Sequence, residues 1–325
     1  MTKPQPLTSP LKYPGGKRKL FPEVERRLPA GRFKYAEPFW GGGSIGVRLA
    51  GEGRATQIVA GEACPPVRAF WEALVQCPLE LKAVLKQLAE RFQMRNAQDV
   101  FQEMRERVNQ SLARTGTREL PLSVEGLGGR LLALNKTCMN GLVRFNAAGE
   151  FNVPIGRRQD GSFYRFNPDF EHLDRVRAAL VGANFEIYPS WKEALREATA
   201  LKLLGREPHP VVIYLDPPYT GGFVDYTAEG WSSDDDIQLY EASFFAGKEL
   251  GCRVILSQPD TEWALDCCSS ILRGWQVDRL EVGRPINSDG GGRGPVGELL
   301  IWNKPPEKVV VNLRPAVDAT FEGPL

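Results

Sequence analysis

The stretch "EPFWGGGSIG", residues 37–46, decides the fold of this chain because it places a glycine-rich turn directly after an apolar segment. Residues 33–39 are predicted to form a strand that runs into the turn, and residues 45–50 are predicted to begin a helix. Three glycines of the turn have the spacing G-x-G-x-x-G, and they are Gly41, Gly43 and Gly46. Because glycines at this spacing let a ligand approach the backbone, the stretch predicts an α/β sheet with a cofactor at the end of its first strand.

The acidic residues beside this turn indicate which kind of cofactor it binds. A second strand, predicted at 56–60, ends near Glu62, where a carboxylate can accept both ribose hydroxyls of an adenosine-containing cofactor. A dinucleotide-binding oxidoreductase therefore remains an alternative. Glu37 lies just before the glycines, where a carboxylate would repel a pyrophosphate but attract an α-ammonium group. That position favours S-adenosylmethionine.

A second stretch, "YLDPPYTGG" at 214–222, places a carboxylate and two prolines directly after an apolar run. The Asp216 carboxylate and the Pro217 carbonyl can accept hydrogen bonds from an exocyclic amine such as adenine N6, which directs the nitrogen lone pair at a sulfonium methyl. Proline has a fixed φ angle, so Pro217 and Pro218 hold these acceptors rigidly. Tyr219 offers a ring on which an extruded base can stack. A strand-end turn with a surface acid is the structural alternative.

Other elements of the chain follow from its apolar pattern. Residues 211–215 and 253–257 are continuous apolar runs typical of buried parallel strands, and 299–302 is predicted to be a late strand. Apolar side chains at three- and four-residue spacings predict helices over 67–113. Residues 114–129, rich in helix breakers, are predicted to form a connection.

A hairpin and two basic segments suggest a polyanionic partner. Residues 142–153 read as a hairpin, LVRF and EFNV joined by a turn at 146–149. Residues 12–34 contain eight Lys and Arg and residues 130–158 contain five, although the formal net charge is only +1. Two basic patches on a nearly neutral protein suit a nucleic acid bound to one face, and ordinary solvated surfaces remain the alternative.

Composition excludes several classes of protein. The chain has 325 residues and no apolar run near the roughly 18 that suggest a membrane span. The first ten residues lack the apolar core of a signal peptide, so we expect a short mobile tail and a cytoplasmic protein, with a monomer favoured. The six cysteines form no CxxC pair and there are two histidines, so no metal site is expected and the thiols are predicted to be reduced core residues.

Taken together, the motifs resemble the Dam-like adenine-N6 DNA methyltransferases of the α order over most of residues 10–303. The resembling stretches are "LKYPGGK" (11–17), "EPFWGGGSI" (37–45), "LNKTCMNGLVRFNAAGEFNVPIGR" (134–157), "DPPY" (216–219) and "RPINSDGGGRGPVGELL" (284–300). Other amine and amide methyltransferases share the glycine loop and DPPY, whereas the hairpin is more specific. The resemblance implies a Rossmann-like S-adenosylmethionine-dependent methyltransferase sheet with an inserted helical, hairpin-bearing target recognition domain.

The resemblance also implies a domain division and an activity. A discontinuous catalytic domain is expected at 10–75 and 165–304, a target recognition domain at 76–164, and a peripheral tail at 305–325. The expected reaction is methyl transfer from S-adenosylmethionine, without a metal, to N6 of an adenine flipped out of a short double-stranded DNA site. The family's best-known site is GATC, so GATC or a close relative is expected here.

The residues and the resemblance together predict three sets of functional side chains. Catalysis is assigned to Asp216, Pro217, Pro218 and Tyr219. Cofactor binding is assigned to Tyr13, Lys17, Glu37, Phe39, Gly41, Gly43, Ser44, Glu62 and Asp216. DNA contacts are assigned to Lys12, Met139, Asn140, Leu142, Arg144, Pro154, Arg157, Asn287 and Arg293. The Arg144 guanidinium matches guanine O6 and N7, and a phosphate contact is its alternative role.

The chain departs from the family pattern at three places. Met139 stands where the family often has an aromatic side chain that wedges into the duplex, and a thioether can still fill that gap. "LSQPD" at 256–260 replaces a Ser-Asn-His-Asp-like stretch, and Glu62 replaces the commoner Asp. None of these changes removes the proposed chemistry.

Three rival functions remain to be separated. A nicotinamide oxidoreductase leaves DPPY and the hairpin unexplained. A methyltransferase acting on RNA or on protein glutamine would share DPPY but would have little use for a guanine-reading hairpin. A non-catalytic DNA-binding module is disfavoured by Asp216 and the glycine loop. The biological purpose, and the transfer of a group larger than methyl, stay open.

Overall fold

The computed structural model describes residues 5–13, 17–113, 122–146, 148–204, 207, 209–219, 231–282 and 296–304. Within these ranges the strands are β1 Phe33–Glu37, β2 Ala55–Gly61, β3 Phe185–Tyr188, β4 Val211–Leu215, β5 Arg253–Pro259, β6 Gln276–Val282 and β7 Val296–Trp302. The α-helices are α1 Phe21–Glu25, α2 Ser44–Gly51, α3 Pro65–Gln76, α4 Pro78–Met94, α5 Ala97–Leu112, α6 Val124–Thr137, α7 Phe170–Gly182, α8 Trp191–Leu203, α9 Ser233–Lys248 and α10 Glu262–Ser270. Two 3-10 helices cover Lys17–Lys19 and Met139–Gly141.

The described strands form one sheet in the order β3-β2-β1-β4-β5-β7-β6. β1 lies between β2 and β4 and is parallel to both, and β4 is parallel to β5. β7 is antiparallel to its two neighbours, β5 and β6. The strand order reverses between β1 and β4, so the carboxyl ends of these strands flank the crevice where open α/β sheets bind ligands. The predicted α/β sheet is confirmed, and the two motif-bearing strands are neighbours.

Burial on both faces explains why the central strands read as continuous apolar runs. All five residues of β4 are buried. Val212 and Tyr214 face one apolar core, whereas Val211, Ile213 and Leu215 face the other. Since successive side chains of a strand point to opposite faces, a strand covered on both sides is predominantly apolar, as β4 is.

Helices occupy the region between α3 and β3, and they differ from the sequence prediction at one point. The helices predicted over 67–113 are confirmed. The predicted connection at 114–129 is wrong in its second part, because α6 begins at Val124. A Cβ at Gly128 would lie 2.5 Å from the Cα of Phe70, so this glycine permits close packing of α6 against α3. Residues 114–121 lie outside the described residues.

The predicted hairpin is confirmed, and α5 holds it in place. Phe145 and Phe151 form an antiparallel bridge, and the amide of Asn146 donates to the Glu150 carbonyl across the turn. Asn109 of α5 donates to the Phe151 carbonyl at 3.2 Å and accepts from the Phe151 amide at 2.8 Å. This side chain therefore substitutes for a neighbouring strand. The division of the chain into catalytic and recognition domains stays a prediction.

The amino-terminal segment is not the mobile tail expected from its composition. Pro10 and Leu11 are buried, and Leu7 packs beside Gly51 at the end of α2. The apolar side chains of this short segment join the core, which explains the difference. Residues 1–4 and the predicted tail at 305–325 lie outside the described residues.

The described residues also bear on the expected cysteine, metal and membrane properties. All six cysteines are free, and five of them are buried, as predicted for core thiols. Among the described side chains, no three His, Cys, Asp or Glu residues are grouped as a metal site would require. None of the described helices combines the length and apolarity that crossing a membrane requires.

Candidate active site

The glycine loop at the carboxyl end of β1 adopts a conformation that glycine tolerates best. Gly41 and Gly43 have φ angles of 48° and 62°, in the left-handed region, and Gly43 immediately precedes α2, whose first residue is Ser44. A Cβ at Gly41 would lie 2.7 Å from the Tyr13 ring, and one at Gly43 would lie 2.6 Å from the Trp40 ring. The loop is therefore closely covered by two aromatic side chains, one of them the predicted cofactor residue Tyr13.

Glu62, at the end of β2, is hydrogen-bonded to the glycine loop. Its Oε2 accepts from the Gly41 amide at 2.9 Å, and its Oε1 accepts from the Cys64 amide at 2.8 Å. Burial raises the pKa of Glu62 to about 7, and the two amides and Arg68 oppose that shift. Each carboxylate oxygen has a further lone pair, so Glu62 keeps capacity to accept other donors.

Glu37, the last residue of β1, is a buried carboxyl beneath the loop. Its Oε2 accepts from the Tyr35 hydroxyl and from the Gly46 amide, both at 3.0 Å. Burial raises the pKa of Glu37 to about 8, and the charge of Asp216 contributes to the increase. Among the described groups that shift the pKa of Glu37, none carries a positive charge.

Asp216 belongs to a cluster of charged and hydroxyl groups at the carboxyl end of β4. Lys17 Nζ lies 3.2 Å from Asp216 Oδ1, donates to the Tyr219 hydroxyl at 2.6 Å, and donates to Glu298 Oε1 at 2.5 Å. The Tyr219 hydroxyl lies 3.4 Å from Asp216 Oδ1 and 3.1 Å from Glu298 Oε1. Ser257 of β5 also donates to Glu298 Oε1. Side chains from the first 3-10 helix, the segment after β4, β5 and β7 thus form one cluster around Lys17 and Glu298.

The charges in this cluster shift one another's pKa values. Burial raises the pKa of Asp216 to about 6, where Lys17 lowers it and Glu298 raises it further. Burial alone would lower the pKa of Lys17, but Asp216, Tyr219 and Glu298 together raise it above its usual value. At neutral pH the lysine is therefore charged, and Asp216 is mainly ionised.

The two prolines follow β4, and three aromatic side chains pack together beside the glycine loop. Pro217 is buried directly after β4, and Pro218 is partly buried. The Phe39 ring, between β1 and the glycines, stacks on Trp191 at a centroid distance of 6.1 Å and meets Trp231 edge-on at 5.4 Å. These contacts fix Phe39 beside the candidate cofactor loop.

Several predicted DNA residues meet where α6 ends. Asn135 of α6 accepts from the Lys12 amide at 2.9 Å and donates to the carbonyls of Lys12 and Gly141, both at 2.7 Å. Met139 is 46% exposed, and Asn140 is exposed with a φ angle of 58°. Asn135 thus joins the amino-terminal segment to the beginning of the hairpin.

The remaining described DNA residues lie along the hairpin and the segment that follows it. Pro154 is exposed and its carbonyl accepts from the Met139 amide at 2.9 Å. Leu142 is partly buried, and Arg144 donates from Nε to Asn152 at 2.9 Å. Arg157 is farther along the chain, where its guanidinium lies 4.0 Å from the Phe163 ring centroid.

Two predicted DNA residues are not among the described residues, and three residues of the candidate site were not predicted from the sequence. Asn287 and Arg293 lie outside the described residues. Sequence reasoning did not single out Glu298, Ser257 or Asn135. A charged residue inside the apolar run "VGELLIW" was a signal for Glu298, because a carboxylate in a buried strand requires partners.

The chain matches one family model and several known DNA methyltransferases. The family model for D12 class N6 adenine-specific DNA methyltransferases matches residues 13–277. The chain is 28% identical to a DNA adenine methylase of Vibrio cholerae over 296 residues, 89% of this chain and 94% of that protein. It is 25% identical to a type II methyltransferase of Lactococcus lactis over 301 residues, 90% and 94% of the two chains. It is 26% identical to the DNA adenine methylase of Escherichia coli K12 over 305 residues, 91% and 95% of the two chains.

Proposed function

Since the chain belongs to the D12 class of N6 adenine-specific DNA methyltransferases, we propose that S-adenosylmethionine donates the methyl group and that the target adenine is flipped into the crevice beside Asp216. One observation carries the proposal. Asp216 follows β4, the glycine loop follows β1, and these strands are parallel neighbours at the point where the strand order reverses. Cofactor and target amine would therefore enter the same crevice from its two sides.

The residues of the glycine loop fit the proposed cofactor. The left-handed backbone at Gly41 and Gly43 excludes larger side chains and leaves the loop's backbone close to the crevice. We assign the ribose hydroxyls to Glu62, which has lone pairs beyond those that Gly41 and Cys64 use. Tyr13, Phe39 and Ser44 would complete the binding surface.

Glu37 fits the charged end of this cofactor. Glu37 is 4% exposed and its pKa is raised to about 8, chiefly by burial. An α-ammonium group beside it would supply the positive charge that favours the ionised form. We therefore assign the ammonium of S-adenosylmethionine to Glu37.

Asp216 and its neighbours would orient the target amine. S-adenosylmethionine supplies a methyl group on a positively charged sulfur, which keeps the C–S bonding electrons when the methyl is transferred. The Asp216 carboxylate and the Pro217 carbonyl would accept from the two N–H groups of adenine N6, so that the nitrogen lone pair forms the new N–C bond. The methylated nitrogen is then positively charged and releases one proton to solvent. Tyr219 would stack on the extruded base, and Pro218 would help to keep the turn rigid.

The hairpin and the end of α6 would read the DNA. We assign base or backbone contacts to Lys12, Met139, Asn140, Leu142, Arg144, Pro154 and Arg157, and also to Asn287 and Arg293. Met139 and Asn140 are exposed side by side, which suits side chains that fill the gap left by an extruded base. We propose GATC or a close relative as the site, residues 76–164 as the recognition domain, and residues 10–75 and 165–304 as the catalytic domain.

Substitution of Asp216 tests the proposed chemistry. Asp216→Ala and Asp216→Asn should reduce methyl transfer from S-adenosylmethionine to duplex DNA below roughly a tenth of wild type, because a transition-state contact is lost. Asp266→Ala, which removes an exposed carboxylate on α10, is the matched control. Nucleoside mass spectrometry of the treated DNA identifies the product. Full activity of both Asp216 variants, or a product other than N6-methyladenine, would refute the assignment.

A further inference from the structure

Lys17 occupies an unusual position in the candidate active site. Its side chain is 11% exposed, and its ammonium contacts Asp216, Tyr219 and Glu298. In the proposed function, the Asp216 carboxylate accepts a hydrogen bond from the target amine. An ammonium and an exocyclic amine are both N–H donors, so Lys17 and the target compete for the same acceptor.

Glu298 is the strongest other partner of this ammonium. It is 3% exposed, although β7 is otherwise apolar at its described buried positions. Its Oε1 lies 2.5 Å from Lys17 Nζ, compared with 3.2 Å for Asp216 Oδ1. Ser257 donates to the same oxygen of Glu298. A buried carboxylate costs free energy unless such partners surround it.

The sheet topology places Glu298 at the same edge of the sheet as Asp216. β7 runs antiparallel to β5, and Glu298 lies opposite Pro259, the last residue of β5. Glu298 therefore lies at the carboxyl edge of the parallel strands, as does Asp216 after β4. The two carboxylates approach one ammonium from different strands.

We propose that Glu298 is a positioning residue for methyl transfer, which retains the Lys17 ammonium so that Asp216 can accept from the target amine. The inference rests on the proposed role of Asp216. Before the base enters, Asp216 and Glu298 share the ammonium. When the amine binds Asp216, Lys17 keeps its contacts with Glu298 and Tyr219, and no charge has to leave the site.

Glu298→Gln tests this role. Glutamine keeps the side-chain length and an acceptor for Ser257, but it removes the charge that competes with Asp216 for Lys17. At saturating S-adenosylmethionine and duplex DNA, the single-turnover rate should fall at least about tenfold, with little change in cofactor Kd measured by calorimetry. Glu298→Asp keeps the charge and should stay within about threefold of wild type.

A double substitution separates positioning from a structural role. If Glu298 acts through Lys17, then Lys17→Met/Glu298→Gln should be faster than Glu298→Gln alone, because the competing ammonium is gone. In the Lys17→Met background, Glu298→Gln should change the rate less than about threefold. The double variant leaves neither an unpaired ammonium nor an unpaired Glu298 carboxyl, so its rate can be measured even if Glu298→Gln alone does not fold. Thermal unfolding and circular dichroism check each variant.

Asp278→Asn is the matched control. Asp278 lies on β6 of the same sheet, and its carboxylate pairs with Arg27. The rate of this variant should equal wild type. A wild-type rate for a folded Glu298→Gln, a double variant no faster than that single variant, or a large effect of Glu298→Gln in the Lys17→Met background would each overturn the inference. Asp216→Asn separates the two proposals: an active Asp216→Asn refutes the proposed function, whereas an inactive one beside a fully active Glu298→Gln refutes only the positioning role.

Discussion

Glu37→Gln should make the stability of the protein less dependent on pH. The Glu37 carboxyl is buried at the end of β1, and its Oε2 accepts from the Tyr35 hydroxyl and the Gly46 amide. A glutamine carbonyl can accept the same two hydrogen bonds, but the amide does not titrate. The substitution therefore removes one ionisation and retains the shape of the side chain.

The pKa of Glu37 sets the size and sign of the effect. Burial raises this pKa from 4.5 to about 8. The unfolded chain releases the proton near the lower value and the folded chain near the higher one, so stability falls as the pH rises between them. Since one pKa unit corresponds to about 1.4 kcal/mol, the wild type should lose about 3 kcal/mol more than Glu37→Gln between about pH 5.5 and pH 8.

Urea unfolding at these two pH values measures the difference. Asp216 and Glu62 titrate in both proteins, so their contributions largely cancel in the comparison. Glu241→Gln, on an exposed position of α9, is the control and should follow wild type. Calorimetry should also show weaker S-adenosylmethionine binding by Glu37→Gln, because the proposed ammonium partner is lost. Identical pH dependence of wild type and Glu37→Gln would refute the reasoning.

Three further substitutions test the cofactor site, base reading and the attachment of the amino-terminal segment to the hairpin. Glu62→Ala should weaken S-adenosylmethionine binding with little change in DNA binding, and equal cofactor affinity by calorimetry would contradict the ribose assignment. Arg144→Ala should relax discrimination at one guanine by about 1–3 kcal/mol in competition between duplexes at fixed salt, whereas a uniform loss indicates a phosphate contact. Asn135→Ala should lower the free energy of unfolding by about 1–3 kcal/mol and weaken DNA binding, because backbone groups of Lys12 and Gly141 lose their partner. An unchanged melting temperature would contradict that last expectation.

The sequence alone was sufficient for the elements whose signals are local. The glycine turn after β1, the apolar run of β4 and the turn at 146–149 each depend on residues adjacent in the chain. Turn chemistry and strand periodicity act over a few residues, so a single sequence carries them. The connection predicted at 114–129 was wrong from Val124 onward because glycine can have two opposite effects on a helix. It breaks an isolated helix, but in α6 it allows close contact with Phe70, and only the packed structure distinguishes these cases.

The amino-acid sequence by itself determined the kinds of side chain available for the site: a glycine loop, a carboxylate after β4 and a hairpin within the basic segment 130–158. Only the tertiary structure decided which of them meet. β1 and β4 are neighbours although a long stretch of chain separates them, and Lys17 contacts Glu298 across 281 positions. The physical reason is that such contacts form when both faces of the sheet are buried and a buried charge must find its partner, whatever its distance along the chain.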